Sequence, residues 1–187
     1  MTEPSGGRLT HDVPVGHRLR KGDLLWVLAY PLYQLLGTFR HEASHALAAV
    51  LQGATIEEFV FWPSFTGSAF QWGYVSWSGL TSSVATAAPY LCDLATFALF
   101  FMICARWPLR GHWVWVNLVA IGLVSPLVNS AYNYLNGLLG RGDVAQLLLE
   151  LPGAAVQTFF AVTLLLYAVG LVWALWPRAA SAVRGDA

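Results

Sequence analysis

Charge is scarce in this sequence. Only 11% of its 187 residues are Asp, Glu, Lys or Arg, against about 25% in an average soluble domain. Ten basic and ten acidic residues cancel, which excludes a nucleic-acid binder working through a basic face. The chain lacks the polar, charge-rich make-up of disorder and the polar surface that a water-soluble globule of this length needs. Cysteine is nearly absent. Cys92 and Cys104 share one apolar stretch, where helical rise would separate them by about 18 Å. That excludes a disulfide and a two-cysteine zinc site within the stretch. Residues 1–23 hold no apolar run of signal-peptide length, and no repeat of 20–50 residues is visible.

What the chain has instead is apolar length. Hydrophobic residues make up 57%, with nine Trp, seven Tyr and ten Phe. Four stretches reach the roughly 20 residues that cross a bilayer: about 24–51, 84–105, 113–139 and 153–176. Trp26, Trp107, Trp113, Trp115, Trp173 and Trp176 lie near their ends, where indole rings favour the interface. The expected fold is therefore an all-α polytopic membrane protein of about four transmembrane helices. A single transmembrane domain over 24–176 is flanked by polar tails, 1–23 and 178–187.

Between the first two spans the chain is rich in β-branched and aromatic residues and is broken by Pro63 and Gly67. Phe70, Trp72 and Tyr74 alternate with period two, a strand signal. A small β-hairpin is expected there, with strands over about 55–62 and 69–77.

Arg8, Arg18, Arg20, Lys21, Arg106, Arg110, Arg178 and Arg184 fall on one side of a four-span chain, with only Arg141 opposite. The positive-inside rule then puts both termini in the cytoplasm.

The first span carries the exception to this apolar pattern. After sixteen uncharged residues it reads Arg40-His41-Glu42-Ala43-Ser44-His45. Ionisable groups at bilayer depth cost several kcal/mol and mark function by default. His41 and His45 are four apart, so both imidazoles leave one helix face. This is the HExxH pattern, in which two His bind zinc and the Glu serves as general base. A polar stripe packed against other helices is the plainer alternative.

A catalytic zinc needs a third protein ligand. Ala48 and Leu51 replace the Gly and His of the longer HExxHxxGxxH motif. His112 falls in the basic loop on the other side. Glu57 and Glu58 open the first strand, where acids are usually solvated. Asp93, inside the second span, suits an interhelical hydrogen bond. Asp143 follows the third span on the His41/His45 side and is the best candidate. Asp143-Val-Ala-Gln146 also reads as a capping box for a short helix over 144–151. Asn129, Asn133 and Asn136 line up along the third span, suited to interhelical hydrogen bonds or to an oxyanion.

These residues resemble the site-2 protease family of intramembrane zinc metalloproteases, the compact bacterial members most. The likeness spans roughly residues 37–150. It rests on His41 to Ala49 with Gly53 closing the helix, the β-rich segment, Ala88-Pro89 at the start of the next span, and a polar third span leading to an Asp. The family's Leu-Asp-Gly around the third ligand reads Gly142-Asp143-Val144 here, and its preceding prolines are absent. The resemblance implies a three-span core in a bacterial cell membrane, with Zn2+ held by His41, His45 and Asp143. It also implies Glu42 as the base that activates a zinc-bound water, and Asn136, or Asn133, as the amide that positions a membrane-protein substrate. The chemistry expected is peptide-bond hydrolysis in or near the bilayer. A non-catalytic membrane scaffold that keeps this fold, and a metal or proton transporter using His41, Glu42 and Asp93, are the competing readings.

Overall fold

The computed structural model of the chain describes residues 19–66, 69–107, 109 and 111–176. Of the polar tails expected over 1–23 and 178–187, residues 1–18 and the whole of the second lie outside the described residues. The chain is mainly helical, and among the described residues three helical stretches are long and apolar enough to cross a membrane: Ser83–Arg106, His112–Leu138 and Gly153–Leu175. Their limits fall within one residue of the second, third and fourth expected spans.

The first expected span divides in two. Lys21–Ala29 forms a 3-10 helix, so helical structure is already present before Leu24. Helix α1 then runs Tyr30–Leu51. Pro31 sits in its first turn, where the missing N–H would be unsatisfied anyway. Alone among the long helices, α1 falls outside the membrane-crossing set; it carries Arg40, His41, Glu42 and His45.

After α1 come β1 (Thr55–Val60), β2 (Ser64–Thr66), β3 (Ala69–Gln71) and β4 (Tyr74–Ser78). β1 pairs antiparallel with β4 and β2 with β3, making two small two-stranded sheets along one hairpin. The first expected strand is shortened to β1, β2 adds a strand beyond it, and the second is split into β3 and β4. Pro63, which has no N–H to donate, lies between β1 and β2. Gly73 interrupts the second expected strand, where a Cβ would lie 2.6 Å from the Thr38 methyl and 2.7 Å from the Val60 carbonyl oxygen. The hairpin lies along α1: Phe39 sets its ring edge-on to Phe59 and Phe61 at 5.9 and 5.3 Å.

Helix α2 (Ser83–Arg106) starts at a Ser82 cap whose hydroxyl accepts from the Val84 N–H. The third apolar stretch comprises α3 (His112–Val119), a π-helical turn over Ala120–Val124 and α4 (Ser125–Leu138). The π turn directly precedes Pro126, which cannot donate the next helical bond. Helices α5 (Gly142–Glu150) and α6 (Gly153–Leu175) complete the chain.

Two buried clusters hold the helices together. Phe97, Trp115, Val119, Leu123 and Tyr167 join α2, α3, the π turn and α6. Tyr90, Val144, Leu147, Val156 and Phe160 join α2, α5 and α6 near α1. Outward Leu165, Leu166, Val169 and Val172 of α6 stay exposed, as an apolar solvent requires. In such surroundings close packing and interhelical hydrogen bonds, rather than apolar burial, drive association.

Candidate metal centre

The histidines of α1 sit where α2, α4, α5 and the hairpin meet. His41 and His45 are buried, with rings 4.9 Å apart. Asp143 comes to them through a built turn. The Gly140 N–H donates to the Gly137 carbonyl and the Arg141 N–H to the Asn136 carbonyl, ending α4 in a Schellman motif. Gly140 takes φ +74° there, a conformation that favours glycine. The chain thereby doubles back and α5 packs closely on α4.

Asp143 lies in the first turn of α5, whose N-cap is Arg141. Its carboxylate does not cap the helix. Oδ2 is 3.0 Å from His41 Nε2 and 3.1 Å from His45 Nε2, and the Tyr90 hydroxyl donates to it at 3.4 Å. Of the two sequence readings for Asp143, the structure realises the contact with the histidines. Burial pushes its carboxyl up, but hydrogen bonds and charge from His41 and His45 outweigh that and hold it well below the usual carboxylate range.

The His45 ring shows what its contact with Asp143 requires. Its Nδ1 lies 2.8 Å from the Ala85 carbonyl oxygen. A carbonyl only accepts, so Nδ1 carries the hydrogen. In the neutral ring, Nε2 then aims a lone pair at a carboxylate oxygen, and two acceptors 3.1 Å apart require a cation between them: a proton or a metal ion. Pro89 supplies the Ala85 carbonyl. With no N–H, proline cannot bond the carbonyl four residues back, so Ala85 is left for His45.

The donor set fits zinc. His41, His45 and Asp143 offer one ligand atom each, all within 4.8 Å of one another. A tetrahedral shell with bonds of about 2.0–2.2 Å spaces ligand atoms by roughly 3.3 Å, near the two separations to Oδ2. Two imidazoles and one carboxylate leave the fourth position open, as catalytic sites do.

Glu42, between the two histidines in sequence, is buried and lines a cavity of about 890 Å³ that reaches Gln71, Tyr74, Asn133 and Asn136. Gly73 lies over it, so that a Cβ there would fall 3.3 Å from Glu42 Cγ. Trp77 of β4 flanks His45 at 6.2 Å. Asn136 lines the cavity while its amide donates to the Tyr132 carbonyl of its own helix. Asn133 donates to Asn129.

The other candidates lie apart from these three side chains. Glu57 and Glu58 are exposed. His112 pairs with Asp23 at 2.8 Å, tying the 3-10 helix to α3. Asp93 makes its interhelical contacts: it is 1% exposed, pairs with Arg40 at 2.6 Å and accepts from Asn129 at 2.7 Å. The sequence reading treated Arg40 and Asp93 separately. A signal was present, since one cation and one anion buried in apolar helices need each other.

Compared with known proteins, the chain matches no protein-family model, no curated protein and no solved structure.

Proposed function

We propose that this chain is an intramembrane zinc metalloprotease of the site-2 protease type, with residues 24–51 as a fourth span. The observation that carries the reading is the convergence of two Nε2 atoms on one carboxylate oxygen, with His45 Nδ1 already committed as a donor. One metal ion among these three groups would serve both contacts at once, where without it each contact needs a proton of its own.

Zinc bound by His41, His45 and Asp143 would supply Lewis-acid polarisation of a scissile carbonyl and make water acidic enough to deprotonate near neutral pH. The Glu42 carboxylate takes the proton of the attacking water and returns it to the leaving amine. Cavity amides of α4, with Asn136 foremost, donate to the oxygen on which charge develops. A transmembrane substrate must unwind before its carbonyls are accessible. β4, whose Tyr74, Val75 and Trp77 line the cavity, offers a strand along which an extended segment can pair.

The test is Glu42→Gln in purified protein, assayed on a membrane substrate. Cleavage should fall by about 100- to 10,000-fold, the usual worth of a general base, with about one zinc per chain retained. Full cleavage by this variant, or no zinc in the parent, would reject the proposal; the second result favours a scaffold.

A further inference from the structure

A single arginine lines the cavity beside the centre. Arg141 is exposed there, and among the described residues its guanidinium makes no hydrogen bond or ion pair. Its backbone is fixed on both sides. Its N–H donates to the Asn136 carbonyl at 2.9 Å, and Gly140 and Gly142 flank it at φ +74° and +69°. Asp143 comes two residues later, so the two Cα atoms are at most about 7 Å apart. Other cations are spoken for or distant. Arg40 is paired with Asp93. From residue 41 to 177 the only further Lys or Arg are Arg106 and Arg110. Arg106 ends α2, about 30 Å along that helix from the Ala85 carbonyl that meets His45. With the two charges of a zinc ion set against Glu42 and Asp143, Arg141 leaves the cavity wall one positive charge in excess.

We infer that Arg141 selects the substrate by binding a carboxylate on it, within a few residues of the bond that is cut. The inference rests on the protease reading above and names a substrate class for it: an extended segment with an acidic group at the edge of its membrane span. A guanidinium presents a fixed fork of donors that matches a carboxylate two bonds at a time. An extended chain advances about 3.3 Å per residue, so a carboxylate on Arg141 and a carbonyl beside Asp143 belong to neighbouring residues of one segment. The third span ends at Leu138, which puts Arg141 just past the apolar stretch. A substrate carboxylate stays ionised at that level, whereas deeper in the bilayer its charge would be costly. The carboxamides of the cavity cannot make this choice, because an amide bonds a neutral partner as readily as a charged one.

The experiment is peptide binding to the full-length Glu42→Gln protein, supplied with zinc in a nonionic detergent and read by fluorescence anisotropy. The probes are short labelled peptides with blocked ends and one Asp or Asn, moved residue by residue along an otherwise uncharged sequence. At the best position the Asp peptide should bind about tenfold tighter than the Asn peptide, between the worth of an exposed ion pair and that of a buried charged hydrogen bond. Added salt should shrink the difference. Arg141→Gln should abolish it, Arg141→Lys should keep part of it, and Arg141→Glu should turn the preference toward a Lys peptide. Arg141 is exposed and its turn is held by backbone bonds, so these variants keep the fold. A peptide with a free C-terminus and no Asp shows whether a chain-end carboxylate serves as well as a side chain; an advantage of either kind that is lost in Arg141→Gln supports the inference. Equal binding of the Asp and Asn peptides, an Asp advantage that survives in Arg141→Gln, or no peptide binding at all overturns it. A loss in Arg141→Gln that is equal for both peptides also overturns it and gives Arg141 to lipid headgroups. If the parent cleaves nothing while the selectivity holds, the protease reading falls alone and Arg141 remains a carboxylate site.

Discussion

Gly137 is a packing residue whose replacement should be felt at the metal centre more than in the fold. A Cβ at this position of α4 falls 2.5 Å from Val144 Cβ and 2.6 Å from its Cγ1, with the Ala145 nitrogen at 3.2 Å. Carbon atoms pack at about 3.5–4.0 Å, so Gly137→Ala must separate α4 and α5 by about 1 Å. Val144 is fully buried and its Cβ moves only with the backbone. The displacement therefore carries the neighbouring residue, Asp143, whose Oδ2 now lies 3.0 and 3.1 Å from the two Nε2 atoms. At about 4 Å it no longer fits a shell whose ligand atoms sit roughly 3.3 Å apart.

The two consequences differ in size. Overpacking costs about 1–3 kcal/mol, and replacing Gly by Ala inside a helix returns up to about 1 kcal/mol. The net loss of stability is therefore about 0–2 kcal/mol. Zinc affinity should fall at least about tenfold, or about 1.4 kcal/mol. Chelator competition in detergent reads the second quantity, and thermal unfolding of metal-free protein reads the first. Zinc affinity unchanged from the parent, whatever happens to stability, would refute the claim that the α4–α5 contact sets the position of Asp143.

Gly122→Ala should show the opposite division. Its Cβ would fall 2.1 Å from the Phe100 ring, away from the centre, so unfolding should become easier by about 1–3 kcal/mol while the zinc dissociation constant stays put. Gly73→Ala should lift the hairpin off α1, because its Cβ meets the backbone oxygen of Val60; faster proteolytic nicking between β1 and β4 would report it, with substrate cleavage reduced. Asp23 supplies a pH dependence. The Arg20 N–H, donating at 2.6 Å, holds its carboxyl below the ordinary value of 3.8, with His112 adding to the effect. A lowered folded-state value stabilises fully above the unfolded one and is lost as pH falls through it. The midpoint of thermal unfolding should therefore drop below about pH 4 in the parent and drop less in Asp23→Asn.

The parts of this molecule that were legible in its sequence are those set by local physics. Spans two to four follow from uninterrupted apolar length, and the structure places them within one residue of the expected limits. The His41/His45 pair follows from helical spacing alone. The hairpin followed from period-two aromatics, but its division into four strands did not. That depended on Gly73 passing close to Thr38 and Val60, a tertiary contact. Asp143 stayed divided between helix cap and ligand because both uses suit an acid just past a glycine. The Schellman turn at Gly140 sets where α5 begins and turns Asp143, in its first turn, toward His41 and His45. Asn129 was one of three equivalent amides in the sequence, and its contact with His41 depends on the packing of α1 against α4.

The centre gathers where the helices are irregular, and there is a physical reason for this. In an apolar solvent a regular helix satisfies all its interior backbone groups by itself and has nothing left to offer. Polar groups become available where that pattern fails. Pro89 leaves the Ala85 carbonyl without a helical donor, and His45 takes it. The π turn before Pro126 lets the Ser125 N–H reach the Ala120 carbonyl. The extra residue in that turn sets the face on which Asn129, four residues on, meets Asp93 and His41. Gly140 breaks α4 so that the Asn136 and Gly137 carbonyls bond forward into the turn rather than along a helix. Each irregularity costs local stability, and each supplies a group that orients a histidine of the centre or brings Asp143 to it. Restoring regular helix at any of the three should strengthen the bundle locally and weaken the centre, because the group that served the site would return to its own helix.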